Sequence, residues 1–254
     1  ETSIQVGTGQ PYAVDTIELP VVNPWNCLFF CSGHDFRQDG SAYVCTMQGD
    51  VWHVTGIHLT AEAVRTIEDS QKLPGTVQWR RYASGLHQPL GLVVHEDTVY
   101  AMCRDQLVAL HDLNKDGEAD FYQCFSNAHI TSAGGHDYIC GLERDTEGRF
   151  YTSSSNQGVV RFSPDGQSVE VLATGFRNPD GIGLMPDGTV TVPCSEGDWT
   201  PATMIAAIPA DPRRREWLSE QSTGRSEPPP HFGYPSRGEA QMPALPWLYL
   251  PRGF

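Results

Sequence analysis

The chain has 254 residues, with 31 acidic against 17 basic side chains and a formal net charge of −14 at pH 7. An acidic balance of this size argues against nucleic acid or an anionic membrane as partner. No run of about 18 apolar residues occurs, so the sequence predicts no membrane-spanning helix. The chain begins at Glu1 rather than at a methionine, which favours a processed or trimmed chain.

Four segments share one pattern, in which a polar corner leads into an apolar strand, a tight turn and a second strand. They begin at Asn23, Ser84, Gly134 and Ala173. Their spacing of roughly 40 to 60 residues is typical of solenoids, propellers and arrays. Short β-rich runs joined by Asp-Gly or Glu-Gly turns predict hairpins. The sequence therefore predicts an all-β fold, a β-propeller with about four blades in this chain.

Two stretches depart from the repeat. The segment 59–71, LTAEAVRTIEDSQ, is the one good helical pattern and is predicted to be an insertion in the first repeat. The segment 209–246 contains three consecutive arginines and three consecutive prolines, and it predicts a long loop or excursion within a single domain covering 1–254. Its arginines favour a solvated charge run.

The last residues, PWLYLPRGF, have the pattern of an unfinished strand. Because propellers of four blades rarely close, we expect the propeller to be incomplete at its C-terminus.

The stretch HDLNKDGEADFYQ has the oxygen side chains of a calcium loop. Asp112, Asn114, Asp116 and Asp120 occupy positions 1, 3, 5 and 9, and a glycine occupies the sharp turn at position 6. Glu118 would add its backbone carbonyl. Gln123 stands where an EF-hand has its bidentate glutamate, so we expect a structural calcium site completed elsewhere, or an acidic turn without an ion.

The polar corners that precede the first strand of each repeat are the predicted functional site, because in a propeller these loops open on one face. They carry Asn23-Pro24-Trp25, His87-Gln88-Pro89, Gly135-His136-Asp137 and Arg177-Asn178-Pro179. Convergent polar groups above an apolar scaffold indicate a binding site. His136 suits a general base because imidazole titrates near neutrality. Arg177 suits a carboxylate or a developing oxyanion.

Each of these residues also has a structural interpretation. His136 could cap a strand or bond a backbone carbonyl, and His87 could be structural. Arg177 could brace neighbouring blades, and the asparagines before proline favour turns by themselves. Three of the seven cysteines, Cys45, Cys103 and Cys194, fall late in the second strand of their repeats and predict buried packing thiols.

The stretches GFRNPDGIGLMPDGTVTV, with SEGDW after it, and HDYICGLERDTEGRFYTSSS resemble segments of soluble quinoprotein glucose and sorbosone dehydrogenases. FGYP, from Phe232, resembles their N-Y-G-W-P corner, with Phe232 in place of the asparagine or glycine. The likeness runs in order over almost the whole chain. DVWHV, RDQLVALHDLNKDGEADFY and ATGFRNPDGIG are similar to the sorbosone-dehydrogenase-like propellers of large secreted proteins from Planctomycetes and related bacteria.

The resemblance implies a six-bladed propeller that binds pyrroloquinoline quinone (PQQ) and calcium. It implies that His136 is the base for the sugar hydroxyl and that Arg177, Asn178 and, less closely, Gln88 contact the cofactor. Gly197 and Asp198 match the neighbourhood of the segment that holds the cofactor calcium. It also implies a carbohydrate substrate, a cytochrome c module as electron acceptor, and a periplasmic or secreted location.

The sequence thus favours a PQQ-dependent dehydrogenase of sugars or sugar-derived aldehydes. No dinucleotide-binding glycine fingerprint occurs, so a bound cofactor has to accept the hydride. Two alternatives stay open at this point. One is a non-catalytic propeller that binds glycans or a partner protein in a larger secreted assembly, and the other is a metal-dependent lactonase or lyase on the same fold.

Overall fold

The computed structural model describes residues 1–7, 11–57, 72–134, 137–195, 202–223, 230, 232 and 248–251. Within these ranges the chain is almost entirely β, and its strands form four antiparallel sheets arranged as four blades of a propeller. The predicted fold class is therefore confirmed. The predicted helix at 59–71 lies outside the described residues.

The first sheet has six strands in the order β2-β1-β6-β5-β4-β3. Its strands are β1 (Thr2–Gln5), β2 (Thr16–Ile17), β3 (Cys31–Phe36), β4 (Ala42–Thr46), β5 (Val51–Thr55) and β6 (Lys72–Ala83). The last four form the blade that the repeat predicts, and the N-terminal strands β1 and β2 extend it beyond β6, which the repeat did not predict. Trp52 is fully buried between Phe29 and Trp25 on this blade.

The second sheet has the order β10-β9-β8-β7. Its strands are β7 (Gly91–His95), β8 (Thr98–Met102), β9 (Leu107–His111) and β10 (Phe121–Ser126). The four consecutive residues from Leu107 to Leu110 are all buried, which explains why this strand is a continuous apolar run. The chain divides into two compact units, unit 1 with Glu1–Tyr100 and Leu110–Tyr122, and unit 2 with Ala101–Ala109 and Gln123–Phe254.

The third and fourth sheets belong to unit 2. The third runs in chain order through β11 (Ile139–Arg144), β12 (Phe150–Ser154), β13 (Gly158–Phe162) and β14 (Val169–Ala173). The fourth runs through β15 (Gly183–Leu184), β16 (Val190–Cys194), β17 (Ala202–Ile208) and β18 (Leu248–Pro251). The predicted Pro-Asp-Gly turn joins β15 to β16, with Gly188 at φ 80 and its N–H donating to Met185 O.

Glycines occur where the first strands of neighbouring sheets crowd together. In unit 1, a Cβ on Gly33 of β3 would lie 3.1 Å from Gly91 Cα of β7. In unit 2, a Cβ on Gly141 of β11 would lie 2.7 Å from the backbone nitrogen of Ile182, and Gly141 has φ +74. A side chain at either position would push the two strands apart.

Two details of the predicted organisation differ in the structure. The first repeat begins at Asn23, but the first strand of its blade begins only at Cys31, and Gly33 is the residue that meets Gly91. The segment 209–246, predicted as a loop, contains a helix, α1 (Pro212–Thr223). Asp211 starts this helix, because its carbonyl accepts from the N–H groups of Arg214 and Arg215.

The arginine run is only partly solvated. Arg215 donates to the carbonyls of Pro209 and Ala210 and lies near Glu170, whereas the side chain of Arg213 is 88% exposed. No helix in the described ranges is both long and apolar enough to cross a bilayer.

Candidate functional site

The corner Arg177-Asn178-Pro179 in unit 2 is held in a strained backbone conformation. Asn178 has φ 39 although a proline follows it, and that combination is sterically unfavourable. Pro179 is buried and bridges to Cys194 at the end of β16. The N–H of Ser195 donates to the carbonyls of Arg177 and Asn178 at 3.1 and 3.3 Å, and Ser195 Oγ also donates to Asn178 O at 3.2 Å. The contacts at the end of β16 therefore hold the corner in this conformation.

Ser155, in the turn after β12, fixes the side chain of Asn178. The backbone N–H of Asn178 donates to Ser155 Oγ at 2.8 Å, and Ser155 Oγ donates to Asn178 Oδ1 at 3.1 Å. This leaves Nδ2 as the part of the amide that can donate to a ligand. Arg177, next to it in the chain, is half-buried.

The other side of the corner is anchored by the chain that returns after α1. Thr174 N donates to Pro230 O at 2.9 Å, and Phe232 N donates to Thr174 O at 2.8 Å. Phe232 is only 3% exposed and stacks on Phe176, with ring centroids 5.1 Å apart. Phe232, which departs from the family pattern, thus packs in the core beneath the corner.

The predicted base, His136, lies outside the described residues, as do Gly197 and Asp198. The chain before His136 is held by Arg104, whose Nη2 donates to Ser132 O at 2.9 Å and to Gly134 O at 2.7 Å. Gly134 N also donates to Ser132 Oγ at 3.1 Å. Ser132 and Gly134 are therefore anchored by carbonyl contacts that give no signal in the sequence.

The chain after His136 is held by Asp137. Its N–H donates to Gly134 O at 3.3 Å, and its Oδ1 accepts from Asn156 N at 3.0 Å. Asp137 is only 7% exposed, and its Oδ2 is buried without a hydrogen-bond partner.

Two thiols of unit 2, the half-buried Cys140 and the buried Cys194, belong to the same neighbourhood. Burial raises the pKa of Cys140 to about 12, and the nearby carboxylates of Asp180 and Asp137 add to the shift. Burial and Asp180 likewise raise the pKa of Cys194 to about 12. Both sulfurs stay protonated at neutral pH, so neither is a thiolate nucleophile. Cys45, Cys103 and Cys194 are all buried, as the sequence predicts.

Unit 1 contains a second corner of the same design. Gln88 is half-buried, has φ 48 and precedes a proline. The carbonyl of Pro89 accepts from Ser32 Oγ at 2.6 Å and from Cys45 Sγ at 3.7 Å. Both residues that the resemblance assigns to cofactor contact before a proline, Gln88 and Asn178, thus have left-handed backbones.

The corner at Asn23 has a structural role instead. Asn23 Oδ1 accepts from the N–H groups of Trp25 and Cys27, and its Nδ2 donates to Pro20 O and Cys27 O. These bonds shape the loop that presents Trp25, over which the Arg81 guanidinium stacks at 4.5 Å from the ring centroid.

The predicted calcium loop is organised by its own backbone. Asp112 accepts from the N–H groups of Asp116 and Gly117, and Asp120 accepts from those of Leu113 and Asn114. Asp116 Oδ1 accepts from Glu118 N. Among the described residues, no group of three or more His, Cys, Asp or Glu side chains is placed to hold a metal ion.

The sequence missed the residues that hold the corner in place. Ser155 and Asn156 lie in the polar stretch SSSN, 153–156, which spans the end of β12, and Ser195 and Asp180 flank the corner itself. The only signal was the polarity of SSSN at the end of a strand, because hydrogen bonds between distant loops leave no periodicity.

No protein-family model matches the sequence, and no curated protein matches it. Solved structures do match in fold. A protein of Thermus thermophilus assigned as an oxidoreductase (glucose dehydrogenase) aligns with a TM-score of 0.57 at 17% identity, covering 89% of this chain and 71% of that one.

Two further matches differ in function from one another. The PQQ domain of pyranose dehydrogenase from Coprinopsis cinerea aligns with a TM-score of 0.51 at 13% identity and covers 72% of this chain. This chain spans only about half of that one, 51%. A chain of a nidogen/laminin complex aligns with a TM-score of 0.54 at 13% identity, covering 85% of this chain and 76% of that one. At such identities the likeness extends to the fold alone.

Proposed function

We propose that this chain is part of a quinoprotein-type dehydrogenase that oxidises sugars or sugar-derived aldehydes with PQQ. The observation that carries the proposal is the Arg177-Asn178 corner. Its strained backbone is imposed by Ser195 and by Ser155. Strain that the surrounding structure maintains is concentrated at ligand sites, because a relaxed loop would serve packing equally well.

The donors of the corner suit this cofactor. PQQ bears carboxylates and an ortho-quinone, so it needs a cationic fork and neutral N–H donors. Arg177 would hold a carboxylate, since a guanidinium binds carboxylates in bidentate fashion. Asn178 Nδ2 would donate to a carbonyl oxygen, because Ser155 occupies the amide oxygen. When bound, the quinone supplies the hydride acceptor that no side chain can provide.

By resemblance, His136 takes the proton of the sugar hydroxyl as a general base. Arg104 and Asp137 fix the loop on either side of it through bonds to Gly134. A general base has to lie within hydrogen-bond reach of the proton it takes, so these anchored neighbours support the assignment of His136. Gly197 and Asp198 stay proposed as the neighbourhood of the cofactor calcium.

The wider setting follows from the same proposal. Electrons leave through a cytochrome c module, the substrate is a carbohydrate, and the location is periplasmic or secreted. We also retain calcium at the Asp112–Asp120 loop. Both oxygens of Asp112 and Oδ1 of Asp116 each accept one backbone N–H and keep a further lone pair for a cation.

The alternative of a propeller that binds a partner protein stays open, because a chain of a nidogen/laminin complex shares the fold at a similar identity. No observation on the described residues favours the metal-dependent lactonase or lyase.

The test is reconstitution of the protein with calcium and PQQ, with cofactor binding measured by calorimetry and turnover by dye-linked oxidation of aldoses. We expect Arg177→Ala to weaken PQQ binding at least tenfold, and His136→Ala to retain binding and lose turnover. Arg213→Ala, which removes an exposed arginine of α1, is the matched control and should change neither. Absence of PQQ binding by the unmodified protein would overturn the proposal.

A further inference from the structure

Asp137 keeps one carboxylate oxygen without a partner in a buried position. Asp137 is 7% exposed. Its Oδ1 accepts from Asn156 N, whereas its Oδ2 has no hydrogen-bond partner. An unpaired buried acceptor is costly, because it has lost water without gaining a donor. Such an atom in a native protein calls for an explanation, and a donor from a bound ligand is one.

The position of Asp137 connects it to both parts of the proposed site. It follows His136 directly in the chain. Asn156, which binds its Oδ1, follows Ser155, which binds the backbone and the amide of Asn178. Two consecutive residues of one turn therefore tie Asp137 to the strained corner.

We propose that Asp137 Oδ2 accepts a hydrogen bond from a hydroxyl group of the sugar or sugar-derived substrate and so determines which hydroxyl pattern is accepted. This inference rests on the proposed function. A carboxylate can only accept, so its partner has to be a donor. A hydroxyl suits the site better than a cation, because the described residues form no group of three or more His, Cys, Asp or Glu side chains placed to hold a metal.

The expected effect is one of specificity. A site built to bind a hydroxyl rejects an analogue that lacks it, because the buried protein group is then left unpaired. We expect the loss of this hydrogen bond to lower kcat/KM about 10- to 100-fold, mainly through KM.

The test variant is Asp137→Asn. It keeps an oxygen for the N–H of Asn156 and puts an NH₂ group where Oδ2 was, so shape is retained while the acceptor becomes a donor. The substrate panel is an oxidised aldose and each of its monodeoxy analogues, assayed with the reconstituted protein. Asp145→Asn is the control, because it makes the same change at a carboxylate whose partners, Arg149 and Tyr151, lie within the third sheet and its first turn.

We expect the unmodified protein to lose about 10- to 100-fold in kcat/KM on one deoxy analogue, and Asp137→Asn to show no further loss on that analogue alone. Asp145→Asn should keep the full discrimination. Equal losses on every analogue, or unchanged discrimination in Asp137→Asn, would overturn the inference.

Two binding measurements separate this inference from the proposed function. Asp137→Asn should bind PQQ as the unmodified protein does, since Asp137 is assigned to the sugar. Calorimetric titration of the quinone-free protein with the aldose should show weaker binding in Asp137→Asn. If the unmodified protein binds the aldose but not PQQ, the dehydrogenase fails, and weaker aldose binding by Asp137→Asn still supports the Asp137 contact. If Asp137→Asn loses calcium binding and keeps sugar affinity, the hydroxyl assignment is wrong.

Discussion

Gln88 and Asn178 each have a strained backbone that lowers the stability of the protein, and we attribute this loss to function. Glutamine has no side-chain preference for a left-handed backbone, yet Gln88 has φ 48 before a proline. Each such residue costs about 1–3 kcal/mol, which the surrounding hydrogen bonds have to offset. Glycine would satisfy the backbone better at either position. Its absence indicates that the side chains matter more than the strain.

We therefore expect Gln88→Gly to stabilise the protein by about 0.5–1 kcal/mol and to weaken PQQ binding. Glu96→Gly is the control, because Glu96 also has a left-handed backbone, at φ 53, in the exposed turn between β7 and β8. It should give a similar gain in stability without changing PQQ affinity. Urea unfolding and calorimetry measure the two quantities. Unchanged PQQ affinity in Gln88→Gly would remove Gln88 from the site.

At this scale the sequence predicted the corner but not the residues that fix it. Arg177 and Asn178 stand out because a polar Arg-Asn-Pro triplet precedes an apolar strand. Asp137 and Ser155 do not, because an unpaired oxygen or a hydrogen bond between two loops depends on tertiary geometry. His136 was identified by the motif that carries the resemblance, whereas the contacts of Arg104 and Asp137 with Gly134 are visible only in the structure.

Among the strands, the crowding between β11 and β15 is the feature most sensitive to substitution. Gly141 combines φ +74 with a backbone atom 2.7 Å from a would-be Cβ. We expect Gly141→Ala to lower the free energy of unfolding by about 2–4 kcal/mol. Gly134→Ala should cost far less, because Gly134 lacks a left-handed φ and its nearest neighbour is the Ser132 side chain at 3.2 Å. Equal losses in urea unfolding would contradict the crowding argument.

The turn between β11 and β12 contains an ionic cluster that makes stability depend on pH. Burial alone would raise the pKa of Asp145, but hydrogen bonds from Arg149 and Tyr151 outweigh it and lower the pKa. The folded state then binds a proton less readily than the unfolded chain. The resulting stabilisation is present above the ordinary pKa of 3.8 and is lost as the pH falls through the lowered pKa.

Asp145→Asn should accordingly reduce the free energy of unfolding by about 1–3 kcal/mol at pH 7. The difference from the unmodified protein should shrink as the pH falls below about 4. Glu147→Gln, which removes an exposed partner of the same Arg149, should have little effect at any pH. Urea unfolding at several pH values tests this, and a difference that does not vary with pH would refute the linkage.

Strands whose pairing partners lie nearby in the sequence were predictable, and strands whose partners lie far away in the sequence were not. Hairpins joined by Asp-Gly and Glu-Gly turns were predictable because turn and strands are adjacent. The strand at Leu248–Pro251 was also anticipated from its apolar pattern. The pairing of β1 with β6 was not, since Thr2 lies opposite Val77 and no local pattern connects them. The same holds for Phe232, whose packing on Phe176 is visible only in three dimensions.

For the whole molecule, composition and repeat period were sufficient for the fold class but not for function. The same four-bladed arrangement aligns with a glucose dehydrogenase assignment and with a nidogen/laminin chain at nearly equal TM-scores, 0.57 and 0.54. What distinguishes a catalytic propeller from a binding one is therefore the chemistry of its loops. Ion binding can be tested on the molecule as a whole, because a ligand that binds only the folded state raises the stability of that entire state.

Calcium should stabilise the protein through the Asp112–Asp120 loop. A ligand that binds only the folded state adds about 2.7 kcal/mol at a concentration of about 100 times its Kd, which is about 5 °C or more in Tm. We expect this rise when calcium replaces a chelator, and its loss in Asp112→Asn. Asp165→Asn changes an acid in a comparable turn, where Asp165 accepts from Ser163 and Gln167, and should keep the rise. If calcium leaves the Tm unchanged, the loop is closed by its own N–H groups alone.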